Sequence, residues 1–140
     1  RYVGFVPVDR KGIRGGRQSI EIAKRLMRER DYSYLIFPEG TRSRDGRIQA
    51  FRRGGFFLAL EAAAPIVPIS ISGTYELMPK GSMFARSGRV KVKFHPPIPS
   101  AGYVPETMAG LMDRVKTAIE SGLAEPTAPP PVSPLPARSS

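Results

Sequence analysis

The sequence contains no cysteine, which excludes disulfide bonds, a thiolate nucleophile and cysteine-ligated metal sites. It has no stretch of about 18 consecutive apolar residues, so no segment is predicted to span a bilayer. A signal peptide is also lacking. The chain has no initiator methionine and begins on a strand-like run, Arg1-Tyr2-Val3. We therefore expect it to be an N-terminally truncated piece of a longer protein.

Acidic residues are few relative to basic ones, and the imbalance is uneven. The formal net charge is +10, from 22 Lys and Arg against 12 Asp and Glu. Residues 1–57 hold 14 of the basic and 6 of the acidic side chains, and arginine dominates there. The planar arginine fork binds phosphate through paired hydrogen bonds. The charge thus indicates a polyanionic partner (a phosphorylated substrate, an anionic membrane or nucleic acid), or else a solvated basic surface without a ligand.

Apolar runs alternate with amphipathic stretches along most of the chain. Strands are predicted at 2–8, 34–37, 66–72 and 90–94, and helices at 17–30, 54–64 and 105–122. The second and third strands are predicted to be buried and the fourth half-exposed. This alternation predicts an α/β fold with a mixed, mostly parallel sheet and flanking helices. Sites in such sheets form in loops beyond the strand ends, which here are the polar loops 9–16 and 39–53.

The composition changes near the C-terminus. Six prolines lie between residue 125 and the end of the chain, among alanines and serines. We therefore predict a folded domain over residues 1–124 and a disordered, proline-rich tail over 125–140.

A dense group of polar residues follows the predicted strand 34–37, within Phe37-Pro38-Glu39-Gly40-Thr41-Arg42-Ser43. Without a side chain, Gly40 can bring its backbone N–H close to an anion. Arg42 can clamp phosphate oxygens, and the two hydroxyl side chains can add hydrogen bonds. Glu39 can orient Arg42 or bind a substrate hydroxyl. The alternative interpretation is an ordinary turn at a strand exit with a capping carboxylate.

This segment closely resembles the third conserved block of the glycerolipid acyltransferases, the family of the glycerol-phosphate and lysophosphatidate acyltransferases. Three further resemblances follow in the family's order and spacing. They are the second block at Gly4-Phe5-Val6-Pro7-Val8-Asp9-Arg10, where Pro7 replaces the usual aromatic residue, the Phe-Lys-x-Gly stretch at Phe51-Arg52-Arg53-Gly54, and the fourth block at Ile66-Val67-Pro68-Ile69. The resemblance covers residues 2–100, and four blocks in order are far more specific than any one of them.

The family's first block, His-x-x-x-x-Asp, supplies the general base and has no counterpart in this sequence. The only histidine is His95, and the position of its partner aspartate is occupied by Ser100. His95 also follows the fourth block instead of preceding the second. We therefore interpret His95 as a structural residue at a strand end and predict no catalytic residue in this chain. The first block is expected upstream of Arg1.

The resemblance implies an enzyme that transfers a fatty acyl group from acyl-CoA or acyl carrier protein to the free hydroxyl of 1-acylglycerol-3-phosphate, in phospholipid biosynthesis. No metal, cofactor or acyl-enzyme is implied. The expected partners are the lysophospholipid or glycerol phosphate acceptor, the acyl donor and an anionic membrane surface on the cytoplasmic side. The acceptor phosphate is expected to bind Arg10, Gly40, Thr41 and Arg42, with Glu39, Ser43, Arg53 and Pro68 in supporting roles.

Two functions without catalysis remain open at this point: a nucleic-acid-binding module and an anionic-lipid-binding module. Nucleic-acid binding is disfavoured because the arginines are not interleaved with a stacking platform, and Phe51, Phe56 and Phe57 fit a core instead. The glycine-rich run 12–17 lacks the Gly-Lys-Ser/Thr ending of a phosphate-binding P-loop.

Overall fold

Helices dominate the part of the chain that the computed structural model describes. That part comprises residues 13–43, 45–77 and 87–123, with only the backbone of 13–15. None of the helices within these ranges is both long and apolar enough to cross a membrane. The elements are α1 (Ile13–Arg30), α2 (Gly54–Glu61), β1 (Ile69–Ser72), α3 (Thr74–Leu77), β2 (Lys91–Phe94) and α4 (Met108–Ser121). The predicted strand 2–8 and the predicted tail 125–140 lie outside the described residues.

Helix α1 packs against α2 and begins earlier than the apolar pattern indicates. The sequence predicted a loop up to residue 16, but the helix starts at Ile13, since a glycine in a helix costs only about 1 kcal/mol. Ser19 and Ala23, one turn apart, are buried. Lys24 Nζ lies 2.9 Å from Glu21 Oε1 and 3.3 Å from Glu61 Oε2, so it bridges the two helices.

Helix α2 ends before the residue predicted from Pro65. The Ala64 N–H donates to Ala59 O at 3.0 Å and the Ala63 N–H to Leu60 O at 3.1 Å. Ala63 adopts a left-handed conformation with φ 48°. This pattern is a Schellman motif, which terminates a helix by satisfying its last carbonyl groups. The predicted helix 54–64 is therefore correct in type and three residues too long.

The two strands form an antiparallel pair, with Ile69 opposite Phe94 and Ser72 opposite Lys91. Pairing extends to an isolated bridge between Ile66 and Ile98, where both backbone N–H groups donate across the pair. Pro68 cannot donate a hydrogen bond, but its carbonyl accepts one from the His95 N–H at 3.0 Å. The predicted strands 66–72 and 90–94 are thus found, in shortened form.

The sheet differs from the prediction in its direction and in its burial. Within the described ranges no parallel pairing occurs, because β1 and β2 are consecutive strands that run in opposite directions and need no crossover. All four residues of β2 are exposed, although half were expected to be buried. Val92 and Phe94 share one sheet face with Ile71 and Ile69. The opposite face is the one that contacts α4. Since β1 is also the sole described neighbour of β2, little covers this strand.

The prediction of a buried strand at 34–37 is wrong. No strand forms there, and Leu35 and Phe37 are 69% and 67% exposed. A strand needs a neighbouring backbone to hydrogen-bond with, and no described segment pairs with this one. Ile36 packs against Gly55, where a Cβ on residue 55 would lie 3.0 Å from Ile36 Cγ2.

The core lies between α2, α4 and the segment that follows β2. Buried apolar residues from these three regions form one cluster, consisting of Phe56, Ile98, Met108, Leu111 and Val115. The sequence places Met108, Leu111, Met112, Val115 and Ile119 on one face of this helix, which predicts that they pack in the core. Three of them join the cluster, and Met108 and Leu111 are fully buried. This core fixes α2, and α2 in turn follows directly after the loop of residues 39–53, which we call the arginine-rich loop.

Candidate functional site

The segment after residue 37 folds back on itself as a tight turn. The Gly40 N–H donates to Phe37 O at 3.1 Å, and Gly40 has φ 71°, a conformation that glycine adopts without strain. Oε2 of Glu39 accepts a 2.7 Å hydrogen bond from the Gln49 N–H. Glu39 therefore closes the base of the loop between residues 39 and 49. It was expected to orient Arg42 or to bind a substrate hydroxyl; the structure gives its carboxylate this backbone partner.

A second hydrogen-bonded turn shapes the outer part of the loop. Oδ1 of Asp45 accepts hydrogen bonds from Ser43 Oγ at 2.8 Å, the Arg47 N–H at 3.1 Å and Gln49 Nε2 at 3.3 Å. The hydrogen bond from Ser43 and that from the Arg47 backbone lower the pKa of Asp45 below its usual 3.8, because they favour the ionised form. Ser43 was predicted as a supporting residue of the phosphate site, and its hydroxyl donates a hydrogen bond to Asp45 within this turn.

Arg42 projects from the exposed stretch between these two turns. Its side chain is exposed and makes no hydrogen bond or ion pair with any other described residue. Thr41, beside it, is exposed as well. This placement leaves the guanidinium of Arg42 available to a ligand. Arg10, the expected partner of Arg42 on the acceptor phosphate, lies outside the described residues.

Arg52 is the residue of this site that the sequence reasoning missed. Its N–H donates to Pro38 O at 2.8 Å, and its side chain lies across the backbone of Gly40. A Cβ on residue 40 would lie 2.6 Å from Arg52 Nε and 2.9 Å from Arg52 Cδ. A signal was available, because Phe51-Arg52-Arg53-Gly54 aligns Arg52, not Arg53, with the lysine of the Phe-Lys-x-Gly stretch.

Arg53, the supporting residue predicted from the same stretch, is directed elsewhere. Its Nη2 donates to Pro105 O at 3.0 Å, and its Cζ lies 5.4 Å from the centre of the Phe57 ring. These contacts join the start of α2 to the turn that precedes α4. Pro68 is fully buried and lies at the pairing of β1 with the residues after β2. Its expected place along the acyl-chain path stays a prediction.

His95 is buried and directly follows the last residue of β2, the strand-end position that the sequence predicted for it. Its Nε2 lies 2.7 Å from Ser70 Oγ, and that hydroxyl donates to Ile119 O at 2.6 Å. A hydroxyl has one proton and a carbonyl has none to give, so Ser70 must accept from the Nε2–H of His95. His95 therefore cannot act as a base toward Ser70 in this arrangement, and the pair is not a nucleophile with its activating base.

Comparison with known proteins bears directly on this loop. The sequence model of the family described as Acyltransferase matches residues 1–72, which include the whole of the arginine-rich loop and end at the last residue of β1. The chain belongs to the acyltransferase family.

Individual acyltransferases are similar over most of this chain. A 1-acyl-sn-glycerol-3-phosphate acyltransferase of Limnanthes douglasii is 41% identical over 93 residues, or 66% of this chain and 33% of its own. The alpha form of Ovis aries is 38% identical over 115 residues, or 81% of this chain and 39% of its own. The crystal structure of PlsC, the 1-acyl-sn-glycerophosphate acyltransferase of Thermotoga maritima, superposes with a TM-score of 0.64 at 32% identity, covering 83% of this chain and 47% of that one.

The acyltransferase chain thus spans between a third and a half of the length of these relatives. The likeness to PlsC shows that helices and sheet here have the PlsC acyltransferase fold. Within the described residues, no group of three or more His, Cys, Asp or Glu side chains is placed to hold a metal ion. The exposed side chains of the arginine-rich loop include those of Arg42, Arg47 and Arg52.

Proposed function

We propose that this protein transfers a fatty acyl group from acyl-CoA or acyl carrier protein to the free hydroxyl of 1-acylglycerol-3-phosphate, a step of phospholipid biosynthesis. The observation that carries the proposal is the exposed Arg42 beside Gly40, in a chain of the acyltransferase family whose relatives bear the name of this reaction. A guanidinium without an acidic partner is a suitable ligand for a phosphate monoester.

The proposed reaction is a direct transfer. The acceptor hydroxyl oxygen attacks the thioester carbonyl carbon, the new ester C–O bond forms, and the C–S bond breaks to release the thiol. The hydroxyl proton goes to a general base, and no metal, cofactor or acyl-enzyme takes part. Arg42, together with Arg10 and Thr41, holds the acceptor phosphate, and Gly40, whose N–H donates to Phe37 O, shapes the turn beside them. Holding the phosphate makes the attack effectively intramolecular once both substrates are bound.

We further propose that the general base is not contributed by residues 1–140. The sequence has one histidine, His95, which is buried and donates its Nε2 proton to Ser70. A His-x-x-x-x-Asp segment placed ahead of Arg1 would provide the base. The 140-residue chain is accordingly expected to bind the phosphorylated acceptor without turning it over.

The test compares the 140-residue chain with a longer form that carries a family His-x-x-x-x-Asp segment ahead of Arg1. Both are incubated with radiolabelled acyl-CoA and either lysophosphatidate or the matching monoacylglycerol, which lacks only the phosphate. We expect labelled phosphatidate from the longer form alone, and little acylation of monoacylglycerol. Equal use of both acceptors would refute phosphate recognition, and turnover by the 140-residue chain would refute the external base.

The basic surface is proposed to meet an anionic membrane on its cytoplasmic side. Along α1, four arginines are exposed, at positions 17, 25, 28 and 30. Exposed cations near an anionic bilayer contribute about 1 kcal/mol each, and the acceptor itself is a membrane lipid. The chain should float with vesicles that contain phosphatidylserine and stay unbound with purely zwitterionic vesicles. Comparable binding to both, or preferential binding to RNA at equal ionic strength, would overturn this proposal.

A further inference from the structure

The roles proposed for the loop residues in phosphate binding do not account for the contact between Gly40 and Arg52. Gly40 was expected to offer its N–H to an anion, but that N–H donates to Phe37 O. Its missing side chain has a different effect: the stem of Arg52 occupies the space where a Cβ would be. Residue 40 therefore accommodates an arginine that arrives from the far end of the loop.

The backbone of Arg52 is held by a hydrogen bond, whereas its guanidinium has no carboxylate partner among the described residues. The Arg52 N–H donates to Pro38 O at 2.8 Å, while the side chain is exposed. Neither Arg52 nor Arg42 forms an ion pair with a carboxylate in the described ranges. The Glu39 carboxylate lies in the same loop, and its Oε2 accepts a hydrogen bond from the backbone N–H of Gln49.

Both arginines adjoin Gly40, Arg42 along the chain and Arg52 across the loop. Arg42 is two residues from Gly40, which limits the Cα–Cα separation to roughly 7 Å, and Arg52 contacts Gly40 directly. Like charges held close without a counter-ion repel each other, and a bound dianion removes that repulsion. Bidentate arginine recognition is the geometry that phosphate favours.

We propose that Arg52 is a second arginine that binds the acceptor's phosphate, and that Gly40 leaves the space in which the Arg52 side chain lies. A side chain at residue 40 would then act by displacing Arg52. The inference rests on the proposed function, since it assigns Arg52 to the same phosphate. A Cβ at residue 40 meets the flexible part of the Arg52 side chain, not backbone. The substitution Gly40→Ala is therefore expected to move Arg52 aside and leave the fold in place.

The experiment measures the affinity of the 140-residue chain for sn-glycerol 3-phosphate, followed by NMR at the amides of residues 40–42 and at Arg52 Nε–H, with glycerol as the ligand without phosphate. Arg52→Gln and Gly40→Ala should each weaken binding roughly 10- to 100-fold, the range for a lost hydrogen bond to a charged group. Arg52→Lys should retain part of the affinity. The double variant should bind no more weakly than Arg52→Gln alone, because both changes remove the same contact.

Two matched variants control for strain and for charge. Gly102 has φ 86° and open space around it, so Gly102→Ala introduces the backbone strain without displacing Arg52. Arg47→Gln removes a charge from the same loop. Both should keep the affinity of the unaltered chain. Thermal melting of every variant separates a lost contact from a lost fold.

The outcomes separate the two proposals. If the unaltered chain binds glycerol phosphate and Arg52→Gln binds it equally well, the role of Arg52 is refuted while the proposed function stands. If Gly40→Ala weakens binding no more than Gly102→Ala does, the space at Gly40 does not position Arg52 for the phosphate. If the unaltered chain shows no preference for glycerol phosphate over glycerol, the phosphate site of the proposed function is itself refuted, and the role of Arg52 with it.

Discussion

The Ser70 hydroxyl and the His95 imidazole are hydrogen-bonded at 2.7 Å inside the protein, and the Ser70 hydroxyl donates a hydrogen bond to Ile119 O. This chain of hydrogen bonds connects β1, the residue after β2 and the last turn of α4. It also brings the backbone of Gly122 against Ser70 and His95, since a Cβ at residue 122 would lie 2.8 Å from His95 Nε2. The only histidine of the sequence thus anchors a helix to a sheet.

Removal of the Ser70 hydroxyl should destabilise the fold. Ser70→Ala leaves the buried Nε2–H of His95 and the carbonyl of Ile119 without this partner, which should lower the free energy of unfolding by about 1–3 kcal/mol. Urea denaturation measures the change. Ser72→Ala is the matched control on the same strand, because the Ser72 side chain forms no hydrogen bond with the described residues. Equal effects of the two substitutions would contradict the anchoring role.

Replacement of Ala63 by glycine should stabilise the protein. Ala63 ends α2 at φ 48°, where a residue with a Cβ is strained and glycine is not. We expect a gain of about 1 kcal/mol in the free energy of unfolding for Ala63→Gly. The adjacent Ala62 has φ −91°, so Ala62→Gly should instead cost about 0.5–1 kcal/mol. The two substitutions should thus change the free energy of unfolding in opposite directions. A loss of stability in both variants would refute the left-handed conformation at the end of α2.

Arg42 should matter far more for catalysis than Arg47. In the longer form with the His-x-x-x-x-Asp segment, Arg42→Ala and Arg10→Ala should each cost on the order of 2–4 kcal/mol of transition-state stabilisation, roughly 30- to 1,000-fold in kcat/KM for lysophosphatidate. The KM for the acyl donor should stay nearly unchanged. Arg47→Ala should have little effect, because exposed charges away from the ligand contribute little. An Arg47→Ala defect as large as that of Arg42→Ala would place the phosphate elsewhere.

The outer turn of the loop should loosen in acid. The pKa of Asp45 is lowered by its hydrogen bonds, foremost that from Ser43, so its contribution to stability is complete above the usual value of 3.8 and is lost as the pH falls through the folded-state pKa. The amide resonances of Arg47 and Gln49 should report this loss in an NMR titration. Asp45→Asn, which cannot ionise, should abolish the transition. A transition that persists in that variant would belong to another carboxylate.

The sequence predicted what depends on local pattern and missed what depends on distant partners. The apolar spacing of α4 predicted one core-facing stripe of five residues: Met108, Leu111 and Val115 are buried, and Met112 and Ile119 are half-buried. The run Tyr34 to Phe37 has an equally apolar pattern, yet a strand also requires a neighbour to pair with, and no described segment provides one. Burial of that run therefore did not follow from its composition.

The candidate site shows the same division. The Phe37–Ser43 segment could be recognised from consecutive residues, and Arg42 is exposed there as a ligand-binding side chain must be. The contact of Arg52 with Gly40 joins positions at opposite ends of the loop, and it depends on the turn that Gly40 makes. The alignment with Phe-Lys-x-Gly already favoured Arg52 over Arg53, and the structure adds that Arg53 turns toward Pro105.

The composition of the buried cluster has a consequence for biosynthesis. Three of its five residues, Met108, Leu111 and Val115, come from α4, whereas the arginine-rich loop and α2 emerge from the ribosome much earlier. Until α4 has been synthesised, Phe56 lacks three of the four other members of its buried cluster, and apolar surface of α2 is exposed. The core that positions α2, and with it the loop of Arg42 and Arg52, can therefore close only after α4 has been synthesised.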